Sequence, residues 1–349
     1  MKILLVGSYY YSMYAPAFAY GFRKLGHDVL EVDYDKFHLN KCSVISTFLN
    51  RLQDRFHFGF NMHNYNNAII KMVKKEKPDI VFLYRCYHVY ESTLKAIKGN
   101  SVYMSYNNDD PFSCVPSNSY FRYHLRNAKH CDLNYVYRKK NIDDYARIGI
   151  TNTKILLPYY LSRQNKPISC KKDIPIAFIG HFEEDGRDLH IKKLIDAGIP
   201  IQLYGGDLWK KSKYYKLLQP FLYFPVRGDD YNQTINRTRI LLVFFSKHNH
   251  DTYTRRCFEI PAAKSMMLSE YTDDMNRLFP MNECAVYFKN SEELVEKAKW
   301  LLENPLEVER ISLNGYNRLL KIGGSEIDRC QQILDDFEII KEERDKSDQ

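Results

Sequence analysis

The chain has eight cysteines, at positions 42, 86, 114, 131, 170, 257, 284 and 330, but no CxxC pair and no regular spacing among them. Reduced thiols are therefore expected rather than a disulfide frame, and no cysteine has a second ligand at the spacing of a structural zinc site. No apolar run approaches the roughly 20 residues that cross a bilayer. The stretch from Met1 ends at Gly7 without a small-residue cleavage site, so no secretory signal is expected and a soluble, cytoplasmic protein is. Blocks of like charge are also missing. The 51 Lys and Arg are interspersed with 43 Asp and Glu, leaving a net charge of +8. That excess is too diffuse for a nucleic-acid stripe; anionic small ligands, an anionic membrane surface or an ordinary solubilising surface each account for it. Finally, Gly7-Ser-Tyr-Tyr-Tyr-Ser-Met-Tyr14 is not GxGxxG, which argues against a dinucleotide-dependent dehydrogenase.

What is present is a regular alternation. Of the 349 residues 44% are hydrophobic, enough for two cores. Short apolar runs at 2–6, 29–32, 80–84, 102–106, 133–137 and 154–157 alternate with helical patterns, and a second series at 174–180, 201–204, 240–245, 266–269 and 285–288 repeats the scheme. Strands separated by helices imply parallel sheets covered on both faces. The predicted fold class is therefore α/β, with two doubly wound Rossmann-like domains facing across a cleft, followed by C-terminal helices. The polar pause at 161–173 is read as the linker. It gives domains 1–165 and 166–340, and a charged, unstructured tail at 341–349.

In such sheets ligands bind at the carboxyl ends of strands. Four of those ends stand out. Gly7 permits close approach of a ligand to the backbone, or simply makes a tight turn. Gly180-His-Phe-Glu-Glu-Asp-Gly-Arg187 can present N–H groups and the Arg187 guanidinium to a diphosphate, with a surface arginine as the alternative. Tyr204-Gly205-Gly206 can abut a sugar or turn the chain, and Arg227 sits beside a backbone edge that could recognise a base. The fourth end is Tyr253-Thr-Arg-Arg-Cys-Phe-Glu-Ile-Pro-Ala-Ala-Lys264. There Glu259 can accept from a ribose diol while Arg255 and Arg256 hold a diphosphate, or it can pair with an arginine one turn away. Asp109 and Asp110 form a pair at another strand end, suited to a general base or to an Asx turn before Pro111. Asp33-Tyr-Asp35 has the form of a DxD metal motif, but no metal site is expected there, nor at His248-Asn-His250.

The run Arg256-Cys-Phe-Glu-Ile-Pro-Ala-Ala263, with Leu268-Ser-Glu270, Asn290-Ser-Glu-Glu-Leu294 and Trp300-Leu-Leu-Glu-Asn-Pro305, resembles the C-terminal domain of CgeB-like glycosyltransferases of the GT-B fold. Lys77-Pro-Asp79 and Asn108-Asp-Asp-Pro111 extend the likeness into the N-terminal half. The resemblance implies a glycosyltransferase of the hexosyl type, retaining in outcome and without metal or other cofactor, moving a sugar from a nucleotide-sugar donor to a glycan or lipid-linked acceptor. It places the donor on the second domain and the acceptor on the first. Combined with the strand ends above, the expected donor residues are Gly180, Arg187, Gly205, Arg227, Asp251, Arg255, Arg256 and Glu259, the acceptor residues Gly7, Ser8 and Tyr9, and the catalytic carboxylates Asp109 and Asp110. Glu259 would be the second acid of a Glu-x7-Glu pattern, but the first position is Asp251. Surface-polysaccharide or glycoconjugate synthesis, with peripheral attachment to the inner membrane face, is the implied setting. A non-catalytic nucleotide or sugar sensor and a nucleotide-sugar epimerase of the same fold are the alternatives.

Overall fold

In the computed structural model, which describes residues 1–39, 43–113 and 120–347, the alternation resolves into two six-stranded sheets. The first contains β1 (Lys2–Gly7), β2 (Asp28–Asp33), β3 (Ile80–Tyr84), β4 (Val102–Asn107), β5 (Leu133–Val136) and β6 (Thr153–Ile155), in the order β2-β1-β3-β4-β5-β6. The second contains β7 (Ile174–Ile179), β8 (Gln202–Tyr204), β9 (Leu222–Tyr223), β10 (Thr238–Val243), β11 (Met266–Glu270) and β12 (Val286–Phe288), in the order β12-β11-β10-β7-β8-β9. Every pairing is parallel. Helices cover both faces of such a sheet, so strand residues are buried without alternation. Ile3 to Val6 and Ile80 to Tyr84 are accordingly all buried. Each sheet has its own core, around Val6, Tyr65, Val81 and Leu83 in the first and around Phe178, Trp209, Leu242 and Phe288 in the second.

Two compact units result, Met1–Leu157 with Glu326–Gln349 and Pro158–Ser325. This division departs from the boundaries expected from sequence in two respects: Pro158 to Asn165 fall in the second unit, and the end of the chain returns to the first. The last helix, Glu326–Ser347, belongs to the first unit. It packs on the helix Ala15–Lys24, where a Cβ on Gly21 would lie 2.5 Å from Cys330 Sγ. Only glycine allows that approach. Asp336 then accepts from Tyr135 Oη at 2.8 Å and Lys154 Nζ at 2.5 Å, while Arg344 pairs with Asp132 at 2.6 Å. The segment from 341 to 347 is thus helical and anchored, not an unstructured tail. Where the chain enters and leaves the second unit, the Tyr160 N–H donates to Gly324 O at 3.0 Å, which closes that unit at its base.

The sequence left 33–63 unassigned. In the structure this stretch includes the helix Val44–Phe56, capped by Ser43 Oγ accepting from the Ser46 N–H, and the next helix begins at Phe60. Among the described residues no helix is long and apolar enough to cross a membrane. Six cysteines are free thiols; Cys42 and Cys114 lie outside the described residues.

Candidate functional site

Each sheet reverses its strand order at one point, between β1 and β3 in the first and between β7 and β10 in the second. Ligands in open α/β sheets bind outside the carboxyl ends of strands at such a point. The loops after these four strands are where a site is to be sought.

In the second unit the loop after β7 is closed on itself. Arg187 is 5% exposed. Its Nε lies 2.8 Å from Asp185 Oδ1, its Nη2 also reaches Asp185, and its Nη1 donates to His181 O at 2.8 Å. These bonds engage all three nitrogens of the guanidinium that sequence offered to a diphosphate, so Arg187 braces the loop. Lys247, after β10, donates to Asp185 O. Burial pushes the Glu183 carboxyl up, but hydrogen bonds from His181 and Ser246 and the Arg187 charge outweigh it and hold Glu183 at about 2. Glu270, at the end of β11, accepts from the Phe245 N–H at 2.6 Å, and burial raises its pKa. Glu183, Lys247 and Glu270 were not anticipated as site residues. Glu183 lay within the loop quoted after β7 and Glu270 within the Leu268-Ser-Glu270 likeness, whereas Lys247 offered no signal beyond its place after a strand.

Gly180 and Gly205 both have packing reasons to be glycine. A Cβ would fall 2.7 Å from the Phe178 ring at Gly180 and 2.2 Å from Trp209 Nε1 at Gly205. Trp209 in turn donates to Gly180 O at 2.9 Å, tying the β7 and β8 loops together. Gly205 also borders a cavity of 340 Å³ with Gly206, Lys210, Tyr223, Phe224 and Pro225. Arg227 is exposed and precedes the helix Gly228–Arg237. Asp251 lies in the loop after β10, its N–H donating to Ser246 O at 2.9 Å.

Glu259 is held firmly. It sits in the helix Arg256–Ala262, 7% exposed. Oε1 accepts from Arg255 Nη2 at 2.7 Å and Oε2 from Tyr231 Oη at 2.5 Å. Arg255 also lies 5.3 Å above the Tyr159 ring. The one-turn ion pair, which sequence left as an alternative, is therefore formed. A carboxylate has about four acceptor sites, so two donors do not exhaust it. Arg256 behaves differently: its Nε is buried with no hydrogen-bond partner among the described residues.

The first unit has a cavity of 270 Å³ at the ends of β1 and β3, lined by Ser8, Tyr14, Tyr34, Arg85, Tyr87 and His88 among others. Gly7 is required here because a Cβ would lie 2.7 Å from Tyr84 O. Ser8 Oγ and the N–H groups of Tyr9 and Tyr10 all donate to Asp35 Oδ2, at 2.6, 2.9 and 2.9 Å. Asp33 Oδ1 accepts from the Asp35 N–H at 3.0 Å. The DxD-like pair thus organises the β1 loop. Arg85 adopts φ 49° and stacks 4.5 Å from the centre of the Tyr14 ring.

The paired carboxylates part company. Asp109 Oδ2 accepts from Arg85 Nη2 at 2.5 Å and Tyr87 Oη at 2.9 Å, beside the cavity. Asp110 is fully buried and accepts from the Phe112 N–H at 3.0 Å and Asn141 Nδ2 at 2.8 Å, which is the Asx turn. Burial and these bonds give Asp110 a structural place.

Residues 187–335 match the family described as Glycosyl transferase-like. That match spans less than half of the chain, taking in most of the second unit and the first residues of the last helix. Comparison with curated protein sequences gives no match. Among solved structures, sucrose-phosphate synthase from Thermosynechococcus elongatus superposes with TM-score 0.66 at 11% identity, covering 97% of this chain and 99% of that one. The HepE protein of Anabaena, solved with UDP and glucose, gives TM-score 0.66 at 12% identity with the same coverage. A glycosyltransferase from Rickettsia africae gives 0.64 at 12%, covering 97% and 98%. These likenesses establish a GT-B-like fold. The matched residues include Arg255, Arg256, Glu259, Asp251 and the lining of the 340 Å³ cavity, whereas Gly180 and the 270 Å³ cavity fall outside them.

Proposed function

We propose that the protein is a nucleotide-sugar glycosyltransferase that takes a UDP-hexose on its second unit and an acceptor hydroxyl of a glycan or lipid-linked sugar on its first. The observation that carries this reading is the contrast between Glu259 and Arg256 within the matched residues. Glu259 is fixed by Arg255 and Tyr231 with acceptor capacity to spare, while the neighbouring Arg256 has a buried donor with no partner. A rigid acid beside an uncommitted guanidinium suits a ribose diol and a diphosphate. The UDP and UDP-glucose held by HepE support uridine as the base.

In this reading the acceptor oxygen forms a bond to the anomeric carbon as the bond to the diphosphate breaks, and the hydroxyl proton passes to the leaving diphosphate. Negative charge then grows on the leaving diphosphate, where Arg256 stabilises it. Asp109, fixed by Arg85 and Tyr87 beside the aromatic cavity, orients the acceptor hydroxyl. The aspartate at 251 replaces the first acid of the Glu-x7-Glu pattern, so retention rests on the family likeness alone.

The test is UDP release from a panel of UDP-sugars with and without acceptor extracts, paired with nucleotide-induced thermal shifts. Acceptor-dependent release, lost in Arg256→Ala and Glu259→Gln, is expected. Turnover of the donor without acceptor would identify an epimerase, and binding without release a sensor; either result overturns the proposal.

A further inference from the structure

The helix Val44–Phe56 presents its polar side to the protein and its apolar side to water. Asn50 is 3% exposed. Its amide exchanges two hydrogen bonds of 2.9 Å with the Leu39 backbone, and it accepts a third from Asn61. Gln53 accepts from the Asn61 N–H at 2.9 Å, and Asp54 accepts from Tyr34 Oη at 2.5 Å with His38 Nε2 3.2 Å away. On the opposite side Val44 is 86%, Ile45 72%, Phe48 61% and Phe56 51% exposed, and Phe58 and Phe60 continue the patch at 58% and 69%. At 3.6 residues per turn the four helical positions fall within an arc of roughly 120°. A contiguous apolar face of this kind on a folded protein marks an interaction surface.

Charge selects the occupant. Between Val44 and Phe60 the exposed charges are Arg51 and Arg55, while the single acid, Asp54, has its side chain 36% exposed and its Oδ1 held by Tyr34 and His38. An outward face that is apolar, aromatic and net cationic complements an anionic lipid surface. A second copy of the same face would bring two exposed arginines for one acid that Tyr34 and His38 already hold. We propose that this face of the Val44–Phe56 helix, with Phe58 and Phe60, seats the protein in the plane of an anionic bilayer surface. The inference is independent of glycosyl transfer. It has a local consequence nonetheless, because Asp54 and His38 also line the 270 Å³ cavity. One helix thus carries the docking face on one side and a wall of the cavity on the other.

Flotation of the full chain with vesicles of phosphatidylcholine, alone or with about one-third phosphatidylglycerol, tests this. Binding to the anionic vesicles is expected. Phe48→Ser with Phe56→Ser should weaken it about tenfold or more, and Arg51→Gln with Arg55→Gln about fivefold per arginine, most clearly at low salt. All four positions are exposed, so the thermal midpoint should stay put; if the phenylalanine pair lowers it, Val44→Ser with Ile45→Ser probes the same face. The proposal is overturned if the wild type fails to float with anionic vesicles, or if the serine variants float as well as it does. It is overturned equally if the face proves to hold two copies together in solution, dissociated by the same serine variants, with no vesicle binding.

Discussion

The loops after β1 and β7 occupy equivalent places in their two sheets, and each is closed by an internal charge of opposite sign. After β1 the donors converge on a carboxylate, Asp35, which sits among Ser8 Oγ and the Tyr9 and Tyr10 N–H groups much as a phosphate would. After β7 the closing group is a guanidinium, Arg187, gripped by Asp185 and His181 O. Neither loop leaves its most conspicuous polar group open. The lesson is that a glycine-and-arginine loop in sequence is an anion site only once its donors have been counted. The count shifts the proposed diphosphate contact from Arg187 to Arg256, and it leaves the first unit with an aromatic cavity beside a loop whose donors are already taken.

The sharpest break of this comparison is Asp185→Ala. It strands a buried guanidinium, and the expected loss is about 3–5 kcal/mol in urea unfolding. A loss below about 1 kcal/mol, accompanied by a loss of nucleotide binding, would return Arg187 to the diphosphate. Next comes Arg256→Ala, which breaks no bond seen in the structure. Stability should hold while the UDP-induced thermal shift falls by an amount equivalent to about 10–100-fold in affinity, the worth of a charge-assisted bond. If stability falls and nucleotide binding does not, Arg256 is a structural residue.

The parallel sheets were legible because strands buried on both faces read as apolar runs, and Lys2 to Val6 or Ile80 to Tyr84 show this directly. The Val44–Phe56 helix escaped because the second half of the signal, an inward apolar face, is reversed there. The return of the last helix to the first unit hangs on Gly21 meeting Cys330, a contact between positions more than 300 residues apart that no local pattern encodes. At the candidate site, Glu259, Arg255 and Arg256 were singled out from their charges among buried residues. Tyr231, which supplies Glu259 with its second bond, was not, since a tyrosine 28 positions away gives no local sign of its target. Asp185 shows the opposite difficulty. It stood two residues before Arg187 in plain view, yet only coordinates reveal that the two close on each other.

Smaller effects should separate Asp109 from Asp110. Asp110→Ala leaves the Phe112 N–H and Asn141 amide without their acceptor and should cost about 1–3 kcal/mol of stability. Asp109→Asn keeps the shape beside Tyr87 but takes the negative charge from the largely buried Arg85, so it should lower the thermal midpoint as well as turnover with acceptor, and turnover by more than the loss of folded protein. A fall in turnover no larger than the loss of folded protein would remove Asp109 from the acceptor side.

The least of the expected differences is the response of the two units to acid, and its sign follows from the buried groups. In the first unit burial pushes His88 down to about 3 and His124 down to about 4, from an ordinary 6.5. Both are neutral when folded and gain a proton on unfolding. The stability they lend is complete above pH 6.5 and drains as pH falls toward 4 and then 3. In the second unit Glu183 is held at about 2 against an ordinary 4.5, so its share is lost only between those values. His190 there is also lowered by burial, so the second unit is not flat at higher pH. Amide exchange followed from pH 7 to 4 should therefore show protection falling earlier and more steeply in the first unit. His88→Gln with His124→Gln should reduce that slope, because glutamine takes up no proton in either state, and His57 and His27, also lowered by burial, supply part of the remainder. An unchanged slope in the double variant would mean that His88 and His124 do not set the acid response of the first unit.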